Sequence, residues 1–202
     1  MQVHPHDDEI VIDGEQINYR EFIYLMLHKP PGVVSATEDN RDQTVLDLLK
    51  REHLVFEPFP VGRLDKDTEG LLILTNDGQL SHSLLSPKRH VPKTYEATVS
   101  GDVTEQDIEK FAKGVVLDDG YETLPGELTI LRKEHQDEEV ISYISLIIHE
   151  GKFHQVKRMF QAVGKKVIYL KRVQMGQLTL DPLLPIGEYR ELTEDELQRL
   201  GK

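Results

Sequence analysis

The sequence predicts an α+β fold built on a largely antiparallel sheet. Segments in which apolar and polar residues alternate, as in half-buried strands, outnumber segments with helical periodicity. Several neighbouring strand segments are separated only by short polar turns, which is typical of antiparallel hairpins. The chain of 202 residues is long enough for one sizeable domain or for two small lobes that share a core.

The first half of the chain contains mainly strand signals that end at turn residues. The prolines and the glycine of 29–32 (KPPG) interrupt a strand ladder, and Ser86-Pro87 closes a helix. The unbroken apolar run 70–75 predicts a buried strand. In chain order we expect a hairpin over 9–17, a strand over 24–28 that resumes at 33–36 (VVSA), a short helix over 44–50, a strand over 70–75 and a helix over 79–85.

The second half combines long alternating strands with capped helices. Thr104, with Asp107 three residues later, fits a helix N-cap, and Gly114 falls where a left-handed C-cap is expected. The alternating runs 127–133 and 140–150 flank a polar tip and predict an antiparallel hairpin. In chain order we expect a strand over 93–101, a helix over 104–114, this hairpin, a helix over 151–164, strands over 166–173 and 176–181, and a helix over 193–200.

The helix predicted within 151–164 has two distinct faces. Its apolar residues recur at helical spacing and form a buried stripe: Val156, Met159, Phe160 and Val163. Polar residues with the same spacing lie on another face: His154, Lys157, Arg158 and Gln161.

The charge distribution matters more than the total. The formal charge of −12, from 36 acidic and 24 basic side chains, by itself argues against a polyanionic partner. Screening limits each charge to roughly 8–10 Å, however, so a local basic cluster is sufficient to bind phosphates. A solvated helix face is the alternative interpretation. The segment 151–172 contains no acidic residue and carries a basic cluster of Lys152, Lys157, Arg158, Lys165, Lys166, Lys171 and Arg172. A second, smaller cluster consists of Lys88, Arg89 and Lys93.

Composition excludes several classes of protein. The chain has no cysteine, which excludes disulfides, thiolate zinc sites and cysteine nucleophiles. No segment approaches the roughly 20 apolar residues of a membrane span, and the N-terminus has no signal-peptide pattern. We therefore expect a cytoplasmic protein that does not bind membranes, and we expect it to be a monomer.

Residues 61–78 (VGRLDKDTEGLLILTNDG) place two aspartates and a threonine directly before an apolar strand. The spacing of Asp65, Asp67 and Glu69 fits the first half of a calcium-binding loop. The twelfth position of such a loop requires a bidentate glutamate, but here it is Asn76, and no predicted helix pair flanks the loop. Calcium binding is therefore excluded.

The stretch 65–68 also matches the D-x-D-x-T pattern of magnesium-dependent aspartate phosphatases, over those residues alone. Those enzymes place the first aspartate directly after a long hydrophobic strand, whereas here the apolar strand follows the aspartates. An acidic surface turn capped by Thr68 is a purely structural alternative.

The same segment resembles the signature of pseudouridine synthases of the RsuA family, G-R-L-D-x-x-T-x-G-L-L. Further segments are similar to the family's other motifs and occur in its order: 28–36 (HKPPGVVSA), 93–97 (KTYEA), 150–164 (EGKFHQVKRMFQAVG) and the tail from 176. The resemblance implies a catalytic domain over 23–202, with a mixed, mostly antiparallel central sheet, flanking helices and two subdomains around a cleft. Residues 1–22 are similar to the end of an S4 RNA-binding module, and we expect a remnant of that module or a linker.

The resemblance implies that a uridine within RNA is isomerised. The bond from C1′ to N1 breaks, the uracil turns, and C1′ joins C5, without exchange of electrons or phosphate. Neither a metal nor an organic cofactor is therefore expected. By its motif position, Asp65 is the carboxylate close to C1′, acting either as nucleophile or as base at C2′. Asp67 falls at a variable position, and we expect it to be dispensable.

The family motifs imply further catalytic residues. Lys157 is expected to keep Asp65 ionised. Relatives often have arginine at this position, so Arg158 is an alternative partner of Asp65. Tyr95 is expected to lie against the uracil face, with its hydroxyl near the C5 proton. Arg63 is expected to help to displace the target nucleotide from its helix.

The remaining candidates are RNA-binding residues. We expect Lys29 and Lys93 to contact phosphates, Arg158 to bind RNA, and His154 and Gln155 to orient the loop before Lys157. The expected partner is ribosomal RNA, or a ribosome assembly intermediate, and small-subunit RNA is favoured. The alternatives are a large-subunit synthase of the same family, an RNA-binding protein without catalysis, and the magnesium phosphatase.

Overall fold

The computed structural model describes residues 20–202 and, for the backbone alone, residues 10–12 and 15–17. The strands are β1 (Ile10–Ile12), β2 (Glu15–Ile17), β3 (Tyr24–Lys29), β4 (Phe59–Pro60), β5 (Glu69–Thr75), β6 (Lys93–Ser100), β7 (Glu127–Gln136), β8 (Glu139–Ile148), β9 (Lys166–Met175), β10 (Leu178–Thr179) and β11 (Tyr189–Glu191). The α-helices are α1 (Arg51–Leu54), α2 (Gly78–Leu85), α3 (Glu105–Lys113), α4 (Gln155–Ala162) and α5 (Glu194–Arg199), and short 3-10 helices lie at Val45–Leu48 and Pro87–Arg89.

Strands β3 to β11 form one mixed sheet in the order β11-β3-β5-β9-β6-β8-β7, with β4 beside β5 and β10 beside β9. Strands β5 and β9 run parallel, and the other pairs run antiparallel. The predicted α+β fold with a mostly antiparallel sheet is confirmed. Strands β1 and β2 form the predicted hairpin. Its turn, 13–14, lies outside the described residues, and the assignment of 1–22 to an S4 remnant stays a prediction.

The sheet consists of two lobes that share a narrow junction. The first lobe contains β11, β3, β5 and β4, and the second contains β9, β6, β8, β7 and β10. Only two residue pairs join β5 to β9, namely Glu69 with Lys171 and Gly70 with Arg172. The two lobes correspond to the predicted subdomains around a cleft.

Two apolar cores cover opposite faces of the first lobe. Alternate residues of β3 and β5, including Leu25 and Leu72, face a core that continues beneath α3 and α4. Their neighbours, including Met26 and Ile73, face a second core beneath α2 and α5. Because side chains alternate along a strand, a strand that is buried on both faces needs an unbroken apolar run, as in 70–75.

The helices follow their predicted caps and faces. In α3, the Thr104 N–H donates to Asp107 Oδ2 at 3.0 Å, as expected of a capping box. Gly114 has a positive φ of 86°, which favours glycine, but its ψ of 150° lies outside the left-handed helical region, so the expected left-handed cap is wrong. In α4, Val156, Met159 and Phe160 are buried, as the stripe predicted.

Residues 33–36 do not form the predicted strand. The segment makes a single bridge, between Val34 and Thr44. The buried Ser35 hydroxyl instead bonds both the carbonyl and the N–H of Leu64, each at 3.0 Å. A side chain thus attaches this segment to the loop 61–68, in place of a backbone ladder. The short elements β4, α1 and β11 were not predicted either.

Lys29 is fully buried at the end of β3. Its amino group donates to the carbonyl oxygens of Pro30, Lys66 and Thr68 at 3.0, 3.1 and 2.7 Å. The predicted phosphate contact is therefore wrong: the ammonium group lies inside the protein and supports the 66–68 backbone. Burial, only partly offset by Asp67, Asp65 and other acidic groups, lowers the pKa of Lys29 from 10.5 to about 8.

Replacement of Gly70 by alanine is predicted to weaken the junction between the lobes. Gly70 has a φ of +112°, and an added Cβ would lie 2.1 Å from the carbonyl oxygen of Arg172. Gly70→Ala should reduce the free energy of unfolding by about 3 kcal/mol or more, as measured by chemical denaturation. Gly78→Ala is the matched control, because an added Cβ there meets open space; it should change stability by less than about 1 kcal/mol. Equal stabilities would contradict the proposed close packing.

Lys29 also predicts a specific pH dependence of stability. Since its pKa is lowered to about 8 in the folded protein, the unfolded chain binds more protons between pH 8 and 10.5. The contribution of Lys29 to stability must therefore rise with pH across that window. The free energy of unfolding of the wild type, minus that of Lys29→Met, should be about 2–3 kcal/mol larger at pH 10 than at pH 7. A difference independent of pH would show that the pKa of Lys29 is not lowered in the folded protein.

Candidate active site

The loop 61–68, which connects β4 to β5, is held in place by hydrogen bonds from two side chains of the segment 29–35. Ser35 bonds Leu64 on both of its backbone groups, and Lys29 binds the carbonyls of Lys66 and Thr68. Within the loop, the Thr68 N–H donates to the Asp65 carbonyl at 3.0 Å. These bonds fix the loop on either side of Asp65, so the carboxylate is presented at the edge of the cleft by a supported backbone.

Asp65 is contacted by the first turn of α4 from the opposite lobe. Lys157 Nζ lies 3.1 Å from Asp65 Oδ2, and His154 Nε2 lies 3.2 Å from Asp65 Oδ1. The side chain of Asp65 is 26% exposed, so it is accessible from the cleft. The predicted pairing of Asp65 with Lys157 is thus present in the structure.

Lys157 is shared between two carboxylates. Its amino group lies 2.6 Å from Asp67 Oδ1, closer than to Asp65, although Asp67 is 74% exposed. The hydrogen bond from Lys157 lowers the pKa of Asp67. Burial opposes the charged form of Lys157, but its bonds to Asp67 and Asp65 outweigh burial and raise the pKa of Lys157. The lysine is therefore a cation at neutral pH, and Asp67 is in contact with the site rather than apart from it.

The start of α4 has an unusual backbone. His154 precedes the helix with φ 49° and ψ 35°, the left-handed region that a residue with a Cβ rarely adopts. Its ring stacks on Phe153, with centroids 3.7 Å apart. Gln155 is buried; it accepts from the Lys152 N–H at 3.0 Å and donates to Met159 Sδ. The position of Gln155 agrees with the predicted orientation of this loop, but the buried side chain is not available to RNA.

Arg158 does not replace Lys157 as the partner of Asp65. Its guanidinium lies 2.7 Å from Asp118 and 2.9 Å from Asp119, and it also donates to the Phe153 carbonyl. Successive side chains of a helix point about 100° apart, so Arg158 faces 118–119 while Lys157 faces the cleft. The alternative assignment is wrong, and direct RNA binding by Arg158 would require these bonds to open.

A pocket of about 810 Å³ extends from Asp65 between the two lobes. This volume is in the usual range for a ligand site. Tyr95 lines it from the middle of β6 and is buried. Arg63 lies exposed at its rim. Within residues 20–202, Arg63 forms no ion pair with Asp67 or Glu69, so the guanidinium is free to meet a ligand.

The pocket also contains residues whose roles the sequence patterns did not indicate. Thr68 and Arg172 are buried in its wall, and Phe153 is 75% exposed beside His154. Lys93, predicted to contact phosphate at the surface, is buried in the same wall. Arg172 belongs to the basic cluster between 151 and 172 and to the alternating strand 166–173, but neither pattern distinguishes a pocket residue from a solvent-facing one.

The described residues contain neither a cluster of metal ligands nor a membrane-spanning helix. In the part of the chain from 20 to 202, no three histidine, aspartate or glutamate side chains are grouped so as to hold a metal ion. None of the helices seen there is long and apolar enough to cross a membrane.

Comparison with known proteins gives consistent matches. The sequence model for RNA pseudouridylate synthases matches residues 23–162. The chain is 55% identical over 200 residues to the uncharacterized RNA pseudouridine synthase YtzG of Bacillus subtilis (strain 168), across 99% of this chain and 82% of that relative. It is 45% identical over 190 residues to ribosomal small subunit pseudouridine synthase A of Vibrio cholerae serotype O1, across 94% of this chain and 78% of that protein.

A large-subunit enzyme and a crystal structure are also similar. Ribosomal large subunit pseudouridine synthase B of Bacillus subtilis (strain 168) is 40% identical over 194 residues, across 96% of this chain and 77% of its own. A crystal structure of a pseudouridylate synthase superimposes with a TM-score of 0.79 at 39% identity, across 99% of this chain and 83% of that one. The chain therefore belongs to the RNA pseudouridylate synthase family.

Proposed function

We propose that this protein isomerises a specific uridine of small-subunit ribosomal RNA, as a cytoplasmic monomer that needs no metal or organic cofactor. The observation that carries the proposal is the contact between Asp65 and Lys157, 3.1 Å apart at the edge of a pocket that Tyr95 also lines. A carboxylate beside C1′, a cation that keeps it ionised and an aromatic ring for the base are the groups that this reaction uses.

Asp65 acts at the sugar. In one route its carboxylate attacks C1′ as the C1′–N1 bond breaks, and in the other it removes the proton from C2′. Both routes need the ionised carboxylate, which Lys157 favours through its charge. His154, at 3.2 Å from the other carboxylate oxygen, limits the rotation of the group and so keeps one oxygen directed to the cleft.

The aromatic side chains and Arg63 serve to bring the nucleotide into the pocket. A flipped uracil stacks on an aromatic face with about 1–3 kcal/mol, and Tyr95 lies in the pocket wall while Phe153 is exposed at its mouth. Removal of a base from a helix costs a few kcal/mol. Arg63, exposed at the rim, offsets part of this cost by occupying the place of the displaced base.

Preference for the small-subunit RNA rests on sequence likeness. Identity is 45% to the small-subunit enzyme from Vibrio cholerae and 40% to the large-subunit enzyme from Bacillus subtilis. The large-subunit assignment is the second candidate.

Two functions from other classes are less well supported. A magnesium phosphatase would use Asp67 as its second carboxylate in the site, but Asp67 is 74% exposed and bonded to Lys157. An RNA-binding protein without catalysis would not need the buried support that Lys29 and Ser35 give to the Asp65 loop.

Release of tritium from RNA labelled at uridine C5 tests the proposal. The wild type should release tritium from small-subunit ribosomal RNA and not from large-subunit RNA. Asp65→Asn, which keeps the shape of the side chain but removes its charge, should reduce the rate by roughly 10³-fold or more. No release by the wild type from either RNA would refute the proposed activity, and release from large-subunit RNA alone would favour the second candidate.

Asp67→Asn is the matched control, with the same chemical change two residues away. It should keep the rate within roughly tenfold of the wild type, since Asp67 contacts Lys157 but lies at the surface. A loss as large as that of Asp65→Asn would mean that the two carboxylates act as one unit.

A further inference from the structure

Two cations lie buried in the pocket wall formed by the second lobe. Arg172 is 2% exposed and Lys93 is 9% exposed. Strands β6 and β9 are neighbours in which Tyr95 pairs with Arg172, and Lys93 lies two residues before Tyr95. Opposite residues of an antiparallel pair, and residues two apart on one strand, share a face of the sheet. Lys93, Tyr95 and Arg172 therefore line the same wall of the pocket.

Arg172 lacks the partners that a buried guanidinium needs. Its Nε donates to the Leu71 carbonyl at 3.0 Å, but its Nη2 is buried without a hydrogen-bond partner. Within residues 20–202 no carboxylate forms an ion pair with it. A buried, uncompensated charge is strongly unfavourable, so a ligand that accepts hydrogen bonds from this guanidinium would offset the cost. The Thr68 hydroxyl, in the same pocket, is also buried without a partner.

The ammonium group of Lys93 also has few hydrogen-bond partners to compensate its burial. Its only polar contact among the described residues is a long one, 3.4 Å to the Val91 carbonyl. Burial, reinforced by the charge of Arg172, lowers the pKa of Lys93, although Glu150 acts in the opposite direction. The carboxylate of Glu150 is already bonded to the Tyr121 hydroxyl at 2.5 Å and the Leu124 N–H at 2.6 Å. The wall thus carries donors that the protein itself does not satisfy.

The depth of these donors indicates which part of a nucleotide they meet. Asp65, His154 and Lys157, which surround the sugar in the proposed reaction, are 26–39% exposed. A flipped nucleotide enters base first, because its phosphates remain in the RNA chain outside. Donors that are more deeply buried than the sugar site therefore face the base, whose edge presents two carbonyl oxygens.

We propose that Arg172 and Lys93 bind the carbonyl oxygens of the target uracil and stabilise the negative charge that the ring carries after the C1′–N1 bond breaks. The inference rests on the proposed function. In both routes the bonding electron pair leaves with N1 and spreads to O2 and O4. The C5 carbon then returns this pair to C1′. In the nucleophile route the ester bond between Asp65 and C1′ breaks as the C5–C1′ bond forms, and in the base route C2′ takes back from Asp65 the proton that it lost. C5 then loses its proton, and N1 takes up a proton. Fixed cations at O2 and O4 act most strongly while the charge exists, which favours cleavage over ground-state binding.

The test compares uridine with a nucleoside whose base leaves more readily. Fluorine at C5 withdraws electrons and stabilises the uracil anion, so 5-fluorouridine depends less on the protein for that purpose. Single-turnover loss of the N-linked nucleoside, followed by digestion and chromatography, is measured for RNA with either nucleoside at the target. Arg172→Met should slow the uridine reaction by roughly 100-fold or more. The reduction in rate that Arg172→Met causes with 5-fluorouridine should be smaller by about tenfold or more. The affinity of this variant for RNA should change by less than about threefold.

Further variants keep the test decisive if Arg172→Met folds poorly in thermal unfolding. Lys93→Met, which loses only one long contact, should show the same selective effect at smaller size, and Arg172→Lys should recover part of the rate. The control Arg199→Met removes an exposed arginine of α5 that pairs with Asp195, and it should match the wild type with both nucleosides.

Three outcomes would overturn the inference while the wild type remains active. These are wild-type rates in both Arg172→Met and Lys93→Met, equal losses with uridine and 5-fluorouridine, or a loss confined to RNA affinity, which would indicate a phosphate contact. An inactive wild type would instead refute the proposed function itself.

Discussion

The ion pair between Lys157 and Asp65 crosses the junction of the two lobes, and the rest of the site depends on that crossing. Asp65 belongs to the loop before β5 in the first lobe, whereas Lys157 and Tyr95 belong to the second. Two residue pairs between β5 and β9 are all that join the lobes within the sheet. The close backbone packing at Gly70, where an added Cβ would meet the Arg172 carbonyl, and the apolar core shared by both lobes hold the carboxylate and the cation near each other. A catalytic geometry that is assembled from two lobes needs such a close junction, because a small shift between them would separate the charges.

Buried polar groups on both sides of the junction serve this geometry. Lys29 and Ser35 hold the Asp65 loop from the first lobe, and the left-handed His154 starts the helix that presents Lys157 from the second. Such features are unfavourable by themselves: a buried amine loses hydration, and a left-handed residue with a Cβ costs of order 1 kcal/mol. They persist where surrounding contacts over-determine the structure, and here they surround the two ends of one ion pair. Arg172 and Lys93 extend the pattern to the wall that faces the base.

The sequence predicted those features that depend on local pattern or on a complete motif. The apolar run 70–75, the hairpin of β7 and β8, and the buried stripe of α4 follow from periodicity, and the pairing of Asp65 with Lys157 follows from family motifs. The error at Gly114 concerns its backbone ψ, whereas the errors at Lys29 and Arg158 concern polar side chains with distant partners. Lys29 reaches Thr68 39 residues away, and Arg158 reaches Asp118 40 residues away. No local pattern indicates such contacts, so lysine and arginine were assigned to the surface, where these residue types usually lie.

We infer that a cation at position 157 sustains the reactivity of Asp65, and single-turnover rates of Lys157 variants at saturating RNA measure this dependence. Lys157→Met should slow pseudouridine formation by roughly 100-fold or more while RNA affinity changes by less than about threefold, since the lysine acts on a charge inside the site. Lys157→Arg, which keeps the positive charge, should recover most of the lost rate. A Lys157→Met enzyme that converts bound RNA as fast as the wild type would show that the reactivity of Asp65 does not depend on this cation.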